Sequence, residues 1–213
     1  MSKDLNPKKA LIFRIVHRDN VPWLLDHGLH CRNSGMFDPN YVEIGNSDLI
    51  VKRSHHRIST SPGGTLSDYV PFYFTPFSPM LYNIKTGWGG IRKRSNDEIV
   101  IMVSSLHELR RRNIPFLFTD RHAYLSAARF FSDLARLDQI DWPMLQRRDF
   151  KSDPEDSSKK ERYQAEALVH KHLPIDALLG LVSYNDQVAA YLNEALAQRH
   201  MTVKVIKKSD WYF

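Results

Sequence analysis

The sequence predicts an α+β fold, and three observations support that prediction. Short stretches rich in alternating apolar and β-branched residues outnumber amphipathic helical stretches. Strand-like and helix-like patterns do not alternate regularly, so a parallel sheet of repeated strand–helix–strand units is not expected. The 213 residues also contain no internal repeat, no low-complexity tract and no convincing linker. One domain spanning residues 1–213 is therefore predicted.

The first half of the chain begins with a predicted strand and a short helix. Alternating apolar residues form the strand from Leu11 to His17. Asp19 or Asn20 can cap a helix that runs through Leu25, and Gly28 can end it. The further predictions are a loop over 32–48, a helix or strand over Leu49 to Arg53, a turn at Pro62 to Gly64, a strand from Tyr69 to Phe74 and a helix from Met80 to Ile84.

The second half contains the longest predicted helix, from Ala123 to Leu137, whose apolar residues recur every three or four positions. In the first half, Pro71 falls within the predicted strand from Tyr69 to Phe74. Proline lacks an N–H, which predicts an edge or bulge position for this residue. The other predictions are strands over Ile99 to Ser104, Pro115 to Phe118, Leu168 to Val169 and Val203 to Ile206, helices over Leu106 to Arg112 and Gln187 to Gln198, and a long loop with some helix over 143–162.

Composition excludes several classes of protein. The hydrophobic share is 42%, and no apolar run approaches the roughly 20 residues that cross a membrane. The N-terminus lacks a secretory signal, so we expect a cytoplasmic protein without a membrane partner. A single cysteine, Cys31, rules out an internal disulfide framework and argues against a cysteine-based zinc site. His55, His56 and His107 lack the spacing of metal ligands, so no metal is expected.

The charge pattern favours a polyanionic partner. The formal net charge is +6, and the basic residues form clusters with aromatic residues nearby. Cations that follow a phosphate backbone and rings on which bases stack are typical of a single-strand groove. The alternative for each cluster is a solvated helix face or turn. The clusters are Lys85 with Arg92 to Arg94, Arg110 to Arg112, and Arg147 with Arg148; the aromatic neighbours are Tyr82, Trp88, Trp142 and Phe150.

One carboxylate stands at the start of an apolar strand-like run. Glu166 follows a polar loop and precedes Leu168 and Val169. A carboxylate in this position suits the stabilisation of positive charge that develops on a sugar. The alternative is a solvated glutamate at a strand end.

Six motifs together resemble the DarT family of DNA ADP-ribosyltransferase toxins, and they cover almost the whole chain. The run from Gly63 to Tyr82 is the most specific. The motifs are residues 13–20 (FRIVHRDN), 63–74 (GGTLSDYVPFYF), 78–82 (SPMLY), 118–122 (FTDRH), 164–169 (QAEALV) and 210–213 (DWYF).

The resemblance implies an ADP-ribosyltransferase-like fold, in which an NAD cleft lies between two packed mixed or antiparallel sheets with helices around them. It implies transfer of ADP-ribose to thymine in single-stranded DNA and a partner antitoxin, DarG, whose macrodomain removes the modification. NAD is then a substrate and not a redox carrier. Consistently, no Gly-x-Gly-x-x-Gly follows a predicted strand.

Two residues match the catalytic positions of the family. Glu166 matches its catalytic glutamate, and Arg53 matches an arginine near both NAD and the target base. The family role of Arg53 is removal of the proton from thymine N3. An arginine is a poor base, so polarising the base carbonyl or clamping a phosphate is physically easier. Arg57 is the alternative for this role.

The resemblance also assigns residues that bind NAD and residues that bind nucleic acid. For two of them the sequence leaves an alternative open, since Trp23 can equally belong to the core and His122 can simply start a helix. Cys31 is expected to be a small buried residue and not a nucleophile. The NAD-binding set is Arg14, Ile15, Val16, His17, Trp23, Cys31 and Arg53. The nucleic-acid set is Met80, His122, Arg147, Arg148 and Arg162.

Two other functions remain open from the sequence. One is ADP-ribosylation of a different acceptor, such as guanine, RNA or protein. The other is a basic single-strand-binding module without catalysis. The presence of both Glu166 and Arg53 favours an enzyme.

Overall fold

A computed structural model describes residues 2–213 and confirms the α+β class. The strands are β1 (Leu11–His17), β2 (Leu29–His30), β3 (Tyr69–Tyr73), β4 (Ile99–Ser105), β5 (Phe116–Thr119), β6 (Phe130–Phe131), β7 (Glu166–His170), β8 (His172–Leu173), β9 (Gly180–Ser183) and β10 (Val205–Lys207). The helices are α1 (Val21–His27), α2 (Ser47–His55), α3 (Pro79–Thr86), α4 (Leu106–Arg111), α5 (Trp142–Arg147), α6 (Lys159–Arg162) and α7 (Asp186–Ala197).

Eight strands form one sheet in the order β10-β9-β4-β1-β3-β7-β5-β6, and β2 pairs with β8 in a second, small sheet. The large sheet divides at its middle. β1 pairs with β4 along its whole length, whereas β1 and β3 share the single register pair Phe13↔Tyr73. The two halves therefore separate beyond that pair. Within the large sheet, the two sheets implied by the resemblance correspond to these two halves, joined by one narrow contact.

Pro71 lies where the halves separate, and the β1 side of its strand is unpaired there, as the predicted edge position requires. Its strand β3 is internal, between β1 and β7. The N and O atoms of one residue in an antiparallel strand point the same way. The Pro71 carbonyl accepts a hydrogen bond from Nη1 of Arg14 on β1 at 2.9 Å. The missing N–H consequently faces the opening between the halves, where no ladder bond is needed.

Most predicted elements are confirmed, and the ambiguous segment from Leu49 to Arg53 is helical. It belongs to α2, which Asn46 caps by accepting a hydrogen bond from the Leu49 N–H at 2.9 Å. Near the C-terminus β9, α7 and β10 form one parallel strand–helix–strand unit. This unit is a local exception to the antiparallel pairing of the rest of the large sheet.

The predicted helix from Ala123 to Leu137 is wrong. The segment instead contains turns, the short strand β6 and a 3-10 helix over Leu134–Gln139. Asp120 accepts hydrogen bonds from the N–H and Nε of Arg129, at 3.0 and 2.9 Å, which position the chain for β6. Phe131 then pairs with Phe118 on β5. Long-range pairing therefore outweighs the helical spacing of the apolar residues.

The core lies on both faces of the sheet and includes all of β4. Its largest fully buried side chains are aromatic or aliphatic and come from both halves, among them Phe13, Phe72 and Phe118. No helix within residues 2–213 is long and apolar enough to cross a membrane.

Candidate active site

Glu166 is the first residue of β7 and is almost completely buried. Its backbone is held from both neighbouring strands. It is paired with Tyr73 on β3, and its N–H donates to Oγ1 of Thr119, the last residue of β5, at 3.1 Å. The carboxylate is consequently fixed on rigid elements and not on a loop.

The Glu166 carboxylate forms a buried ion pair with Arg53. Arg53 Nη1 donates to Oε2 at 2.9 Å and to Oε1 at 3.3 Å, and the Ala123 N–H donates to Oε1 at 3.0 Å. Nδ1 of His122 lies 3.5 Å from Oε1. Burial alone raises the pKa of Glu166, but the Arg53 charge, the His122 side chain and these hydrogen bonds together hold the pKa below its usual value. The carboxylate is ionised at neutral pH.

Arg53 has unused hydrogen-bonding capacity. Its side chain is 11% exposed, and its Nη2 is buried without a hydrogen-bond partner among residues 2–213. Buried polar atoms are almost always paired, so an unpaired guanidinium nitrogen marks a place where a ligand acceptor fits. Arg57, the alternative from the sequence, is exposed and lines neither cavity beside Glu166.

The first cavity opens where β1 and β3 separate and has a volume of about 610 Å³. Four of the residues predicted to bind NAD line it: Arg14, Trp23, Cys31 and Arg53. Trp23 stacks on His27 at 4.4 Å, so one aromatic face is already covered. Burial raises the pKa of the Cys31 thiol, which suits the small buried residue that the sequence predicts and not a nucleophile.

The structure does not bring the other three predicted NAD-binding residues to this cavity. Val16 is part of the hydrophobic core, and Ile15 packs against the core without lining the cavity. His17 is buried in a polar cluster, with Nε2 at 3.4 Å from Oε1 of Glu98 and 3.2 Å from Nη1 of Arg94. Their role in binding NAD stays a prediction.

A second cavity of about 390 Å³ lies on the other side of α2. Leu49 lines this second cavity, whereas Ile50 and Arg53 of the same helix line the first. His122 also lines the second cavity, with a side chain that is 15% exposed. Glu166 therefore touches one residue of each cavity, Arg53 on one side and His122 on the other.

The residues predicted to bind nucleic acid differ in their exposure and in the contacts that they already make. Arg147 is exposed, and Arg148 lies 3.7 Å from the centre of the Phe77 ring with Nη1 3.3 Å from the Asp210 carbonyl. Met80 packs against the core and lines neither cavity beside Glu166. Arg148 is also exposed, but its guanidinium makes these two contacts, so Arg147 is the better candidate for a phosphate contact.

Arg162 is held by acidic neighbours, and its predicted role in binding nucleic acid stays a prediction. Its guanidinium pairs with both oxygens of Asp156, at 3.0 and 2.7 Å, and lies 3.5 Å from Oδ2 of Asp141. These partners raise its pKa, and they occupy the donors that a phosphate contact needs. In this structure Arg162 ties down the segment before β7.

The ion pairs of Arg162 give a testable expectation. Arg162→Ala should lower the free energy of unfolding by about 1 kcal/mol, because a partly exposed ion-pair network is lost. Transfer activity should fall as the segment loosens, while the salt dependence of DNA binding stays unchanged. Urea unfolding and binding isotherms at several salt concentrations test both parts. A clearly reduced salt dependence would instead support the predicted phosphate-binding role.

Tyr73 is a further site residue, outside the predicted catalytic and binding sets, for which the sequence left a position in the cleft or in the core open. It pairs in register with Glu166, and its hydroxyl has no hydrogen-bond partner in the described part of the chain. Burial, and then the Glu166 charge, raise the pKa of Tyr73 far above its usual value, so the hydroxyl remains a donor. The alternation of aromatic residues in the run from Tyr69 to Phe74 was the available signal, but the pairing with β7 was not readable.

Within residues 2–213, no group of three His, Cys, Asp or Glu side chains is arranged to hold a metal ion. The side chains of the site offer an ionised buried carboxylate, a guanidinium with an unpaired nitrogen, an imidazole and a phenol.

Comparison with known proteins defines the family. Residues 13–213 match the family model of DarT, ssDNA thymidine ADP-ribosyltransferase. A DNA ADP-ribosyl transferase from Escherichia coli O127:H6 (strain E2348/69 / EPEC) is 55% identical over 212 residues, which cover 100% of this chain and 97% of the relative.

Solved structures agree with these sequence matches. Thermus sp. 2.9 DarT in complex with ADP-ribosylated ssDNA superposes with a TM-score of 0.89 at 34% identity, covering 98% of both chains. The same protein in complex with NAD+ gives 0.86 at 34% identity and covers 98% of this chain and all of that one.

The fold and these matches together define an NAD-dependent DNA ADP-ribosyltransferase. Within that class, the chain belongs to the DarT family.

Proposed function

We propose that this chain acts as one catalytic domain that transfers ADP-ribose from NAD to thymine bases in single-stranded DNA and releases nicotinamide. In the cell it is a growth-arresting toxin of the cytoplasm whose partner is a macrodomain antitoxin of the DarG type. The observation that supports the proposal best is the ion pair between Glu166 and Arg53, buried between two cavities.

The first cavity suits the donor. Its volume of about 610 Å³ lies within the range of small-molecule sites. Arg14, Arg32 and Arg53 line it, so it offers cations for a diphosphate. Arg14 uses Nη1 for the Pro71 carbonyl and keeps its other donors for a ligand. Thermus sp. 2.9 DarT, which is similar over its whole length, has been solved with NAD+.

Glu166 supplies the main catalytic effect. Breaking the bond between ribose and nicotinamide leaves positive charge on the ribose, as in glycoside hydrolysis. An ionised carboxylate in a site shielded from water stabilises that charge more strongly in the transition state than in the ground state. The lowered pKa of Glu166 keeps this carboxylate charged at neutral pH. Arg53 orients it, and the Tyr73 hydroxyl is a free donor beside it.

The second cavity suits the acceptor. It adjoins Glu166 through His122 and opens on the side of α2 away from the first cavity. The N3 atom of thymine lies on the Watson–Crick edge, which a duplex hides. A thymine that reaches this cavity must therefore come from a single strand.

Mass spectrometry of a defined strand tests the proposal directly. Single strands containing thymine, and matched strands in which every thymine is replaced by adenine, cytosine or guanine, are incubated with NAD. We expect the mass of one ADP-ribose only on thymine strands, and release of nicotinamide in equal amount. Annealing the complementary strand should stop the reaction. Modification of guanine strands, RNA or protein in preference to thymine would overturn the acceptor assignment.

The cellular role has its own test. Expression of the chain should arrest growth, and co-expression of an active DarG-type macrodomain should restore growth. A macrodomain variant without hydrolase activity separates removal of the modification from simple binding. Growth that is unaffected by the chain, despite modified thymine in the genome, would contradict the toxin role.

The exposed Arg147 gives a further expectation for DNA binding. Arg147→Ala should reduce the slope of log affinity against log salt by about 0.7, the value for one phosphate contact with a single strand. Affinity for NAD should not change, since Arg147 does not line the first cavity. Lys204→Ala is the matched control, because Lys204 is also exposed but precedes β10 at one edge of the sheet. Equal slopes for Arg147→Ala and wild type would place the DNA path elsewhere.

A further inference from the structure

One basic cluster of the sequence has no part in the site described above. It lies in the loop of residues 87–95 that follows α3, which we call the Trp88 loop. The side chain of Trp88 is 69% exposed, and no other aromatic ring or cation within residues 2–213 packs on its indole. A single exposed apolar side chain needs no special explanation. The surroundings of Trp88 give it one.

The Trp88 loop is anchored at both ends. The N–H groups of Gly87 and Arg94 donate to carbonyls of α3 at 2.7 and 3.0 Å. Between them, Gly89 and Gly90 have φ angles of +70° and +75°, which glycine adopts without strain, and a Cβ at either position would meet open space. The tight turn therefore projects Trp88 from a fixed base, with room around the ring.

Two free cations stand close to Trp88 in the same loop. Arg92 and Lys93 are exposed, and the side chain of neither has an ion-pair or hydrogen-bond partner in the described part of the chain. Arg94 differs, because its Nη1 donates to Oε1 of Glu98 at 2.9 Å and its side chain is largely buried. Arg92 and Lys93 are therefore available to an external anion, whereas Arg94 has a structural role.

The Trp88 loop lies beside the helix that separates the two cavities of the active site. Gly89 and Arg92 line a small cavity of about 250 Å³ together with residues 43–48, at the start of α2. Asp48 belongs to this small cavity, and the next residue of α2, Leu49, lines the second cavity. A strand whose target base enters the second cavity consequently has the Trp88 loop within reach of its neighbouring nucleotides.

The charges around the loop indicate the kind of partner. On the facing segment, Glu43 lies 3.6 Å from Arg32 and Asp48 is in the first turn of α2. The side that carries Trp88 presents the unpaired cations Arg92 and Lys93. A flat aromatic face next to free cations is the arrangement on which single strands bind, because bases stack on the ring while phosphates meet the cations.

We infer that the Trp88 loop holds the part of the single strand that flanks the target thymine. One flanking base stacks on the indole of Trp88, and the adjoining phosphates lie against Arg92 and Lys93. The identity of the strand rests on the proposed function. Every base has a π-face, so this contact is tolerant of sequence. It determines how firmly the strand is held and not which base is modified.

The test measures strand affinity without NAD and removes the stacking partner from either side of the contact. Trp88→Ala should weaken binding of a thymine-containing strand by about 5- to 150-fold, the effect of losing one stacked base. Trp88→Phe keeps a π-face and should retain most of the affinity. Tyr191→Ala is the matched control, because Tyr191 is also an exposed aromatic residue but lies on α7 and lines neither active-site cavity.

Strands with abasic sites on the 5′ or the 3′ flank of the target thymine identify the stacked base. They keep every phosphate but lack the flanking bases. On one of the two strands, Trp88→Ala and wild type should bind equally well, because the base that meets the indole is already missing. An equal loss for Trp88→Ala on the intact strand and on both abasic strands would overturn the stacking contact.

The two cations have a separate readout. Arg92→Ala combined with Lys93→Ala should reduce the slope of log affinity against log salt by about 1.4, twice the value for one phosphate contact with a single strand. In transfer assays, these variants and Trp88→Ala should raise KM for the strand and leave kcat and the affinity for NAD unchanged. An unchanged salt slope would contradict the phosphate contacts.

Failure of this inference can be distinguished from failure of the proposed function. If the wild-type chain binds single strands through Trp88 but modifies no thymine, the proposed function fails and the contact stands. If the Trp88 variants bind and modify strands like wild type, the inference is overturned. Loss of binding to a DarG-type antitoxin in those same variants would then assign the loop to a protein interface.

Discussion

Glu166→Gln should lower the rate of ADP-ribose transfer by on the order of 10³-fold. The amide keeps the shape of the side chain but removes the negative charge that stabilises the developing positive charge on the ribose. Affinity for NAD should weaken only modestly, because this interaction is stronger in the transition state than in the ground state. Single-turnover transfer to a thymine strand and calorimetric titration of NAD measure the two quantities.

The same substitution leaves Arg53 as an uncompensated buried charge. Breaking a buried ion pair costs about 3 to 5 kcal/mol, so the variant is assayed well below its unfolding temperature. Glu161→Gln is the matched control, since Glu161 lines the second cavity but its side chain is 41% exposed and does not contact Glu166. A rate for Glu166→Gln close to that of Glu161→Gln would end the catalytic assignment.

Arg53→Ala should make the activity strongly dependent on pH. Burial raises the pKa of Glu166, and the Arg53 charge is the largest of the influences that lower it. Without Arg53, burial dominates and the carboxyl takes up a proton at higher pH. The variant should therefore gain activity as pH rises above the usual titration range of a glutamate, whereas in wild type the lowered pKa of Glu166 keeps the carboxylate ionised there.

The free energy of unfolding should also depend on the ionisation of Glu166. In wild type, the lowered pKa of Glu166 stabilises the folded state above the pKa of the unfolded chain, and that contribution is lost as pH falls through the folded-state pKa. Arg53→Ala removes this contribution to the stability of the folded state. Arg57→Ala is the control, because Arg57 is exposed and lines neither cavity. A flat pH profile for Arg53→Ala, or a larger loss for Arg57→Ala, would contradict this assignment.

Local sequence patterns predicted much of the fold. Elements whose signal is contained within a few residues, such as the Asn-capped start of α7 and the apolar run of β4, appear where the sequence predicts them. The segment from Ala123 to Leu137 failed because its structure depends on partners far away in the chain. Its helical spacing is real, but Asp120 and the pairing of Phe131 with Phe118 decide the outcome.

The candidate site shows the same limit. The strand-start position of Glu166 was readable, because a polar loop gives way to an apolar run. The choice between Arg53 and Arg57 could not be made from the sequence, since only the direction of the side chains in the folded chain decides which guanidinium reaches Glu166. No local pattern reveals the ion pair of Arg162 with Asp156 or the polar cluster around His17 either, because both depend on side-chain contacts in the folded chain.

The way Glu166 is held has a consequence for how proteins of this kind can diversify. Its main chain is anchored by Tyr73 and Thr119 on neighbouring strands, whereas the segment leading to it is secured largely by surface pairs such as Arg162 with Asp156 and Lys159 with Asp149. Sequence change in that segment can alter the lining of the second cavity while the strand pairing that holds Glu166 is kept. The lining of that cavity and the position of the carboxylate thus depend on different sets of contacts.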